Sequence, residues 1–283
     1  MRPIPLLALL ATGCATSMTH MTTPHALEPG DWQVTGAWTG QVASVPATKS
    51  IQAGADLWDH YVGEDDPPPL SEDEVRTLLD TGLAWGLFHP GTSYELAVRL
   101  GVTDKLARGL DIGLRTDFAA VKGDLKLQLW ESEGGMFAVG AYAGYGYGFS
   151  LVGGAVEWLT LTDFSRHDLD VGATWGLEAG KVLRLWTGPR YLHSWIRAEP
   201  KLAPVIQEHL PEAFQSYEPN QFMGSSSAHY FGWIDGVMVG WRYVFLVAEL
   251  NLAWMAYHPE ILEERRNFSG LVIAPDVGVT ATW

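Results

Sequence analysis

The amino-acid sequence predicts an all-β fold, a closed antiparallel up-and-down transmembrane β-barrel of about ten strands whose long loops contain short helices. Three observations predict it. Ten segments alternate between apolar and polar residues, the links between them are short and long in turn, and the last segment ends on Trp283. This alternation indicates β-strands because successive side chains of a strand project to opposite faces of a sheet.

The first five predicted strands each have one apolar face and one polar or glycine-rich face. The first, 31–43, sets tryptophan and valine against glutamine and threonine, and the second, 93–102, alternates tyrosine, leucine and valine with glutamate and arginine. The third, 110–115, and the fourth, 124–129, set leucine and isoleucine against charged residues. The fifth, 136–148, sets aromatic and small apolar side chains against glycines.

The next three predicted strands contain the irregular positions. The sixth, 168–178, alternates cleanly, with aspartates, glycine and threonine on its polar face. The seventh, 182–197, contains Pro189, which has no N–H to donate and therefore predicts a bulge or an irregular pair. In the eighth, 229–242, Asp235 falls on the apolar face, which predicts a bulge or a position at the rim.

The last two predicted strands are 243–257 and the terminal strand 269–283, which alternates almost without error and stops at Trp283. A terminal two-faced strand ending in an aromatic residue resembles the closing strand of Gram-negative outer-membrane β-barrels. In those proteins the barrel-assembly machinery reads the carboxy-terminal pattern, so the resemblance implies that this machinery is a partner.

The links between strands differ in length in a regular way. Very short links join the second strand to the third, the fourth to the fifth, the sixth to the seventh and the eighth to the ninth. Long links cover 44–92, 149–167, 198–228 and 258–268, and the link 116–122 is of moderate length. In outer-membrane barrels the short turns are periplasmic and the long loops extracellular. An even number of strands then predicts that both chain ends lie in the periplasm.

The amino terminus is typical of an exported protein. Residues 1–13 place one basic residue before a mostly apolar run, and Cys14, the single cysteine, follows. A lone cysteine cannot form an internal disulfide; the run resembles a bacterial lipobox, which implies lipidation of Cys14, with an ordinary signal peptide as the alternative. The predicted domains are a lipoprotein-type signal, 1–13, a periplasmic linker, 14–30, and an outer-membrane barrel, 31–283.

Composition excludes several classes of protein. After the signal no apolar run is long enough, at about eighteen residues, to form a membrane-spanning helix. The net charge of −15 argues against a nucleic-acid partner, because such a chain would not neutralise phosphates. With 13 Trp, 10 Tyr, 10 Phe and 31 Gly, the composition suits pleated surfaces with aromatic girdles.

Two short stretches resemble a known group of proteins. Residues 25–34 are similar to the start of the first strand, and residues 99–106 with 109–111 to the first hairpin, of small Gram-negative outer-membrane β-barrel proteins, many of them lipoproteins. The likeness covers the whole mature chain. That family carries no catalytic motif, so the resemblance implies an envelope barrel and no catalytic residue.

The polar faces of the strands predict a charged lumen. A ten-stranded barrel is only slightly wider than the eight-stranded barrels whose interiors are filled by side chains. We therefore expect paired charges that largely occlude the lumen, or alternatively a narrow polar pathway for small solutes. The predicted lumen charge network comprises Glu95, Arg99, Asp111, Arg115, Asp124, Lys126, Asp168, Asp170, Glu178, Arg184, Arg190, Arg242, Glu249 and Asp276.

The apolar faces carry aromatic residues that are expected at the membrane–water interfaces, where amphipathic rings meet lipid headgroups and lipopolysaccharide. These predicted interface aromatics are Trp32, Tyr94, Trp175, Tyr191, Trp195, Trp233, Trp241, Trp254 and Trp283.

An enzyme is the competing function class. An outer-membrane hydrolase could use His167 with Asp163 or Asp168, or His229 with one of the serines at 225–227. A nucleophilic site needs a base within hydrogen-bond reach, which closeness in sequence does not guarantee. No GxSxG elbow or metal-spaced histidine pair is present, so no catalytic residue, metal or cofactor is predicted. A soluble periplasmic barrel that binds an apolar ligand is a further alternative.

The long loops carry their own signals. Ser71 and Glu74 resemble a capping box at the start of a helix, and 204–214 is a second possible helix. The acidic stretch 63–69 is expected to be a solvated loop, with cation bridging to lipopolysaccharide as the alternative. The function predicted is an outer-membrane barrel with a structural, binding or limited small-solute transport role.

Overall fold

The structure is a computed structural model that describes residues 18–61, 71–88, 91–117, 120–149, 159–180, 182–202, 225–261 and 264–283. Ten of its strands form a closed barrel, and β10 and β11 form a separate two-stranded sheet. The elements are β1 Trp32–Ala43, α1 Ser44–Tyr61, α2 Glu72–Phe88, β2 Gly91–Thr103, β3 Leu110–Thr116, β4 Ala120–Glu131, β5 Phe137–Phe149, β6 Leu159–Ala179, β7 Leu183–Leu202, β8 Ser225–Trp241, β9 Val244–Tyr257, β10 Glu260–Ile261, β11 Glu264–Arg265 and β12 Gly270–Thr282.

The barrel is antiparallel throughout and closes between its first and last strands. Barrel strands adjacent in sequence pair with each other, and β1 pairs with β12 over a register that runs from Gln33 with Thr282 to Ala43 with Val272. Trp32 and Trp283 exchange backbone hydrogen bonds of 2.8 and 3.0 Å at the seam. The predicted fold class is therefore confirmed, and the closed ring leaves no barrel strand with an unpaired edge.

The two rims differ as predicted. The links β2–β3, β4–β5, β6–β7 and β8–β9 lie at one end, which we call the short-turn rim, together with Trp32 and Trp283. The helices α1 and α2 and the β10–β11 hairpin lie in links at the opposite end, the long-loop rim. No helix in the described part of the chain is long and apolar enough to cross a bilayer.

Side chains segregate between the two faces of the barrel wall. Outward residues such as Leu246 are exposed by 68%, whereas the inward Asp111 and Asp168 are exposed by 0%. An apolar exterior around a polar interior is the reverse of a soluble barrel and matches strands that face hydrocarbon. The opposite arrangement, expected of a soluble barrel, is not seen in the described strands.

The inner wall is not polar along its whole height. Near the long-loop rim, the inward residues of β7, β8, β9 and β12 are apolar and pack against α2. The buried residues of this contact are Leu192, Ile196, Tyr230, Met255, Tyr257 and Val272 from the wall and Val75, Leu79, Leu83, Ala84 and Phe88 from α2. The helices therefore pack on an apolar sector of the wall, whereas charged side chains line the sector beside it at the same height, with Asp170 directly opposite Leu192.

The helix α2 begins where the sequence predicts it. The backbone N–H of Ser71 donates to Glu74 Oε2 at 2.6 Å, and the N–H of Glu74 donates to Ser71 Oγ at 3.3 Å, which is a capping box. The helix α1 was not predicted. The predicted helix 204–214, the acidic stretch 63–69 and the signal with Cys14 lie outside the described residues.

The sequence predicts irregular strand pairing at Pro189 and at Asp235, and the structure differs between the two positions. Opposite Pro189, the β6–β7 pairing is interrupted between Gly172 and Trp175 and resumes in the same register, which is the irregular pair that the sequence predicts. Around Asp235 there is no bulge, because β8 pairs with both neighbours without a register shift. The Asp235 carboxylate faces outward and accepts a 2.6 Å hydrogen bond from Thr187, whose Oγ1 accepts one from the Trp233 indole at 2.7 Å.

Candidate functional site

The polar part of the lumen is the candidate site. The structure buries most of the predicted network there: Glu95, Arg99, Asp111, Arg115, Asp124, Lys126, Asp168, Asp170, Arg190, Glu249 and Asp276. Glu178 and Arg184 form a half-buried pair at the short-turn rim, with Arg184 Nε 3.1 Å from Glu178 Oε2.

Arg242 does not belong to the network. It has the even-numbered position that faces inward along β8, but the strand ends at Trp241. Arg242 instead occupies the tight β8–β9 turn with a φ of 56°, and its side chain is exposed. Strand alternation predicts the direction of a side chain only within a strand, so it does not apply to Arg242.

Two buried cations were missed from the sequence. Lys122 lies 3.7 Å from Asp168, and Arg166 Nε lies 3.1 Å from the same carboxylate. Both continue the inward alternation of their strands, Lys122 two residues before Asp124 and Arg166 two residues before Asp168. Extending the predicted strands by one pair of residues would have found them.

One wall of the site is a ladder of alternating charges. Asp124 pairs with Arg99, and its second oxygen lies 3.5 Å from Arg115 Nε. Asp170 accepts a 2.9 Å hydrogen bond from Arg190 Nε and lies 3.7 Å from Arg115 Nη2. The shared acids hold the guanidinium groups in fixed positions, because each Arg pairs with a carboxylate on another strand of the barrel.

The other wall is acidic. Glu249 of β9 and Asp276 of β12 are directly opposite each other in the sheet, and Asn251 Nδ2 donates to both, at 2.9 and 3.2 Å. The Trp186 indole also donates to Glu249, at 3.2 Å. Within the described ranges neither carboxylate forms an ion pair, so both are held by neutral donors.

A segment of the chain's own amino terminus lies between these walls. Residues 18–28, which we call the luminal segment, run from under α2 to the short-turn rim, and Met18 to Pro24 are buried. The sequence predicted a periplasmic linker over 14–30. That prediction is wrong for the luminal segment, because lumen side chains satisfy its backbone groups and hold it inside the barrel.

Cationic side chains bind the carbonyl oxygens of the luminal segment. Arg190 donates to the carbonyl of Met18, and Arg115 donates to that of Thr19. Lys126 Nζ donates to the carbonyls of Thr23, at 3.1 Å, and His25, at 2.6 Å. The same ammonium group lies 2.7 Å from Asp111, so its charge is also balanced within the wall.

Carboxylate and amide oxygens bind the N–H groups of the same segment. Glu249 accepts from the backbone of both His20, at 2.8 Å, and Met21, at 2.7 Å. Nearer the short-turn rim, Gln128 accepts from Ala26 at 2.6 Å and Asp111 from Leu27 at 3.0 Å. These backbone N–H groups of the segment donate to carboxylate and amide oxygens, and its carbonyl oxygens accept from cationic side chains. Each of these backbone groups therefore has a partner of the matching kind.

Met21 has an unusual backbone conformation next to these contacts. Its φ is 45°, in the left-handed region that non-glycine residues rarely adopt. The Met21 side chain packs with Trp186, Phe245 and Val247 in a second buried apolar cluster, which compensates for the backbone strain.

Glycines allow the segment to approach the wall. A Cβ added at Gly101 would overlap the carbonyl oxygen of Glu28, and one at Gly140 would lie 3.0 Å from the carbonyl oxygen of Pro24. Fewer contacts involve side chains of the segment. The His20 and Tyr142 rings lie 3.9 Å apart, Thr19 Oγ1 donates to Asp276 at 3.2 Å, Thr22 Oγ1 accepts from Lys126 Nζ at 3.2 Å, and His25 Nε2 lies 3.0 Å from the Gly135 carbonyl oxygen.

The residues of the hydrolase alternative lie elsewhere. His167 faces outward and shares a 2.7 Å hydrogen bond with Tyr145, whereas Asp168 points into the lumen. His229 shares one of 2.8 Å with Tyr191, and Ser226 one with Tyr257. His167 and the serines at 225–227 line an outward groove of about 470 Å³. In the described part of the chain none of these serines bonds either histidine, and the Asp163 side chain is not described.

The predicted interface aromatics lie on the outer surface. All are exposed except Tyr191, which is half-buried, and Trp175 packs edge-to-face on Trp233 at 5.4 Å. Their depth relative to a bilayer stays a prediction. The described residues contain no group of three histidine, cysteine or acidic residues placed to hold a metal ion.

Comparison with known proteins returns similar folds and no family. No protein-family model and no curated protein sequence matches the chain. Neisserial surface protein A matches at 8% identity over 89% of this chain and 95% of its own, with a TM-score of 0.33. The attachment invasion locus protein of Yersinia pestis, in complex with the heparin analogue sucrose octasulfate, matches at 8% over 90% and 99%, TM-score 0.32.

The translocator domain of the autotransporter NalP from Neisseria meningitidis matches at 8% identity over 90% of this chain and 89% of its own, with a TM-score of 0.40. At these identities the likeness concerns the barrel fold alone.

Proposed function

We propose that this chain is an outer-membrane β-barrel of a Gram-negative bacterium whose lumen is held closed by its own luminal segment. Its role is binding, with passage of small solutes limited to moments when the segment leaves. The observation that carries the proposal is the satisfaction of the segment's amides and carbonyls by charged lumen side chains. A segment bound in this way fills the polar lumen below the cap of α2.

The membrane placement is supported by the outer surface. Most of its large exposed residues along the strands are leucine, valine, isoleucine and aromatic residues, and a closed barrel has no unpaired backbone edge to expose to lipid. In this proposal the short-turn rim is periplasmic, where the terminal strand β12 meets the barrel-assembly machinery. The long-loop rim faces outward, where lipopolysaccharide surrounds it.

Conductance across a planar bilayer tests the closed state. The purified, refolded full chain is expected to show only rare openings, because the segment and the charge ladder occupy the lumen. Glu249→Ala removes the acceptor of two amides, each such bond to a charged group contributing about 1.5–3 kcal/mol, so openings are expected to become at least about tenfold more frequent.

Glu178→Ala is the matched control, because Glu178 is an acid of the inner wall that pairs with Arg184 near the rim and bonds no residue of the luminal segment in the described structure. It is expected to leave the opening frequency close to that of the parent. A large steady conductance of the unaltered chain would contradict the proposal.

A further inference from the structure

The lumen contacts of the luminal segment go mainly to its backbone. Three cationic side chains donate to its carbonyl oxygens, and three acceptor side chains take its amide protons. Every residue except proline carries both groups. We infer that the lumen is a receptor for extended polypeptide backbone, in which the chain's own segment is the resident ligand and a second peptide of the same class can take its place.

The wall also sets the chemical class of the ligand. Residues 18–27 contain no lysine, arginine, aspartate or glutamate, and they are dominated by threonine and other uncharged side chains. A charged side chain facing the ladder would lie among buried ions that already pair with each other, at a high desolvation cost. The ligand is therefore a neutral, extended peptide of about ten residues, long enough to span about 35 Å when fully extended.

Two features fix the register of the ligand. Glu249 takes the amides of two successive residues, those in the His20 and Met21 positions. The apolar cluster of Trp186, Phe245 and Val247 takes the side chain at that same position. An apolar residue in the fourth place of the peptide therefore sets the register, whereas most of the other side chains are replaceable.

This inference rests on the proposed function, since it needs the segment to be bound in the lumen. It goes further, because a segment can close the lumen without being exchangeable. Bilayer conductance tests the closure, and peptide exchange tests the receptor, so either can fail without the other.

The experiment separates the segment from the barrel after folding. A protease recognition sequence is inserted between Pro29 and Gly30, which are exposed at the short-turn rim. The full chain is refolded, cleaved, and incubated with a fluorescent synthetic peptide of residues 18–28. Fluorescence anisotropy then follows binding of the labelled peptide as the resident segment leaves.

The peptide is expected to bind. A variant with alanine at Thr23 and His25 is expected to bind within about tenfold of it, since it loses one hydrogen bond within the peptide and one bond to a neutral carbonyl of the wall. Methylation of the backbone nitrogens at His20 and Met21 is expected to weaken binding by at least about tenfold, because both bonds to Glu249 are lost. A methyl group on the Thr23 nitrogen, whose amide has no partner among the described residues, is the control.

Absence of exchange, or equal binding of the His20 and Met21 N-methyl peptide and its control, would overturn the inference. If the insertion prevents folding, residues 18–28 are replaced by a glycine–serine linker and the same peptides are added during refolding. The unmodified peptide is then expected to raise the yield of folded barrel. A yield that no peptide changes would overturn the inference equally.

Discussion

Single residues in this lumen act through the backbone of another part of the chain. Glu249, Arg115, Arg190 and Lys126 bind peptide groups of the luminal segment as well as wall residues. Buried charges are costly unless they are paired and hydrogen-bonded. The segment supplies partners for groups that the barrel wall alone would leave unsatisfied, which explains why a polar linker-like sequence becomes buried.

The close approach at Gly101 yields a stability prediction. Gly101→Ala places a methyl group against the carbonyl of Glu28, so either the segment or the wall has to shift, and we expect a loss of about 1–3 kcal/mol in the free energy of unfolding. Gly36→Ala is the control, because a Cβ at this outward position meets nothing within 4 Å. Urea unfolding in lipid vesicles measures both; equal stability of the two variants would show that the segment does not press on Gly101.

Asp235 yields a prediction of opposite sign. An outward carboxylate among Phe231, Trp233 and Val237 is unfavourable next to hydrocarbon, although Thr187 bonds it. Asp235→Asn keeps an oxygen acceptor and removes the charge, so the free energy of unfolding in vesicles is expected to rise by about 1 kcal/mol. Thr187→Val is the companion variant, expected to lower stability by removing the donor. A loss of stability in Asp235→Asn would mean that the charge is itself stabilising.

At the scale of elements, ion pairs join the cap, formed by the helices α1 and α2, to the β9–β12 loop and join the two helices to each other. Arg76 of α2 pairs with Glu264 of β11, Arg266 lies 2.8 Å from the same glutamate, and Asp80 of α2 lies 3.1 Å from Lys49 of α1. Such exposed pairs are individually weak. The ion pairs fix the orientation of α2, whereas packing of its apolar face against the barrel wall stabilises its position.

The Glu264 pair predicts a pH dependence of the cap. The hydrogen bond from Arg76 lowers the pKa of Glu264 below its ordinary value near 4.5, and Arg266 adds to this. A carboxylate whose pKa is lowered in the folded state stabilises that state above its ordinary pKa and loses this contribution as the pH falls through the lowered pKa. The protection of amides in residues 264–269 against hydrogen exchange, relative to an unstructured peptide at the same pH, is therefore expected to fall below about pH 4, and Glu264→Gln to remove that dependence. An unchanged acid response in Glu264→Gln would contradict this role.

The elements differ in how far the sequence could predict them. The strands could be predicted because the alternation of apolar and polar residues is visible in the sequence of each strand. The start of α2 could be predicted because a capping box involves residues only three positions apart. Arg242 was misplaced because a two-residue turn ends the alternation without a sequence signal. Asp235 suggested a bulge that is absent, because a hydrogen bond from Thr187 on the neighbouring strand accommodates its outward carboxylate without any shift in pairing.

For the whole molecule, the position of the luminal segment could not have been predicted. Its side chains read as a polar linker, and its partners in the lumen lie about 80 to more than 250 residues away in sequence. Recognition through backbone groups leaves no pattern of side chains to detect. The candidate lumen charges, by contrast, followed directly from strand alternation.

The buried segment also changes the topology expected of the chain. The carboxy terminus lies at the short-turn rim, as predicted, but Met18 lies in the lumen beneath α2. Residues 18–28 are therefore not available as the free periplasmic tether that was expected to follow Cys14. Lipidation of Cys14 itself stays a prediction.

Hydrogen exchange of the full-length protein in lipid, read by mass spectrometry over residues 18–28, shows whether the luminal segment is bound inside the barrel. We expect the amides of His20, Met21, Ala26 and Leu27 to be protected as well as those of the neighbouring strands, because each donates to a lumen side chain. Exchange of these four amides at the rate of an unstructured peptide, with the strands protected, would contradict it.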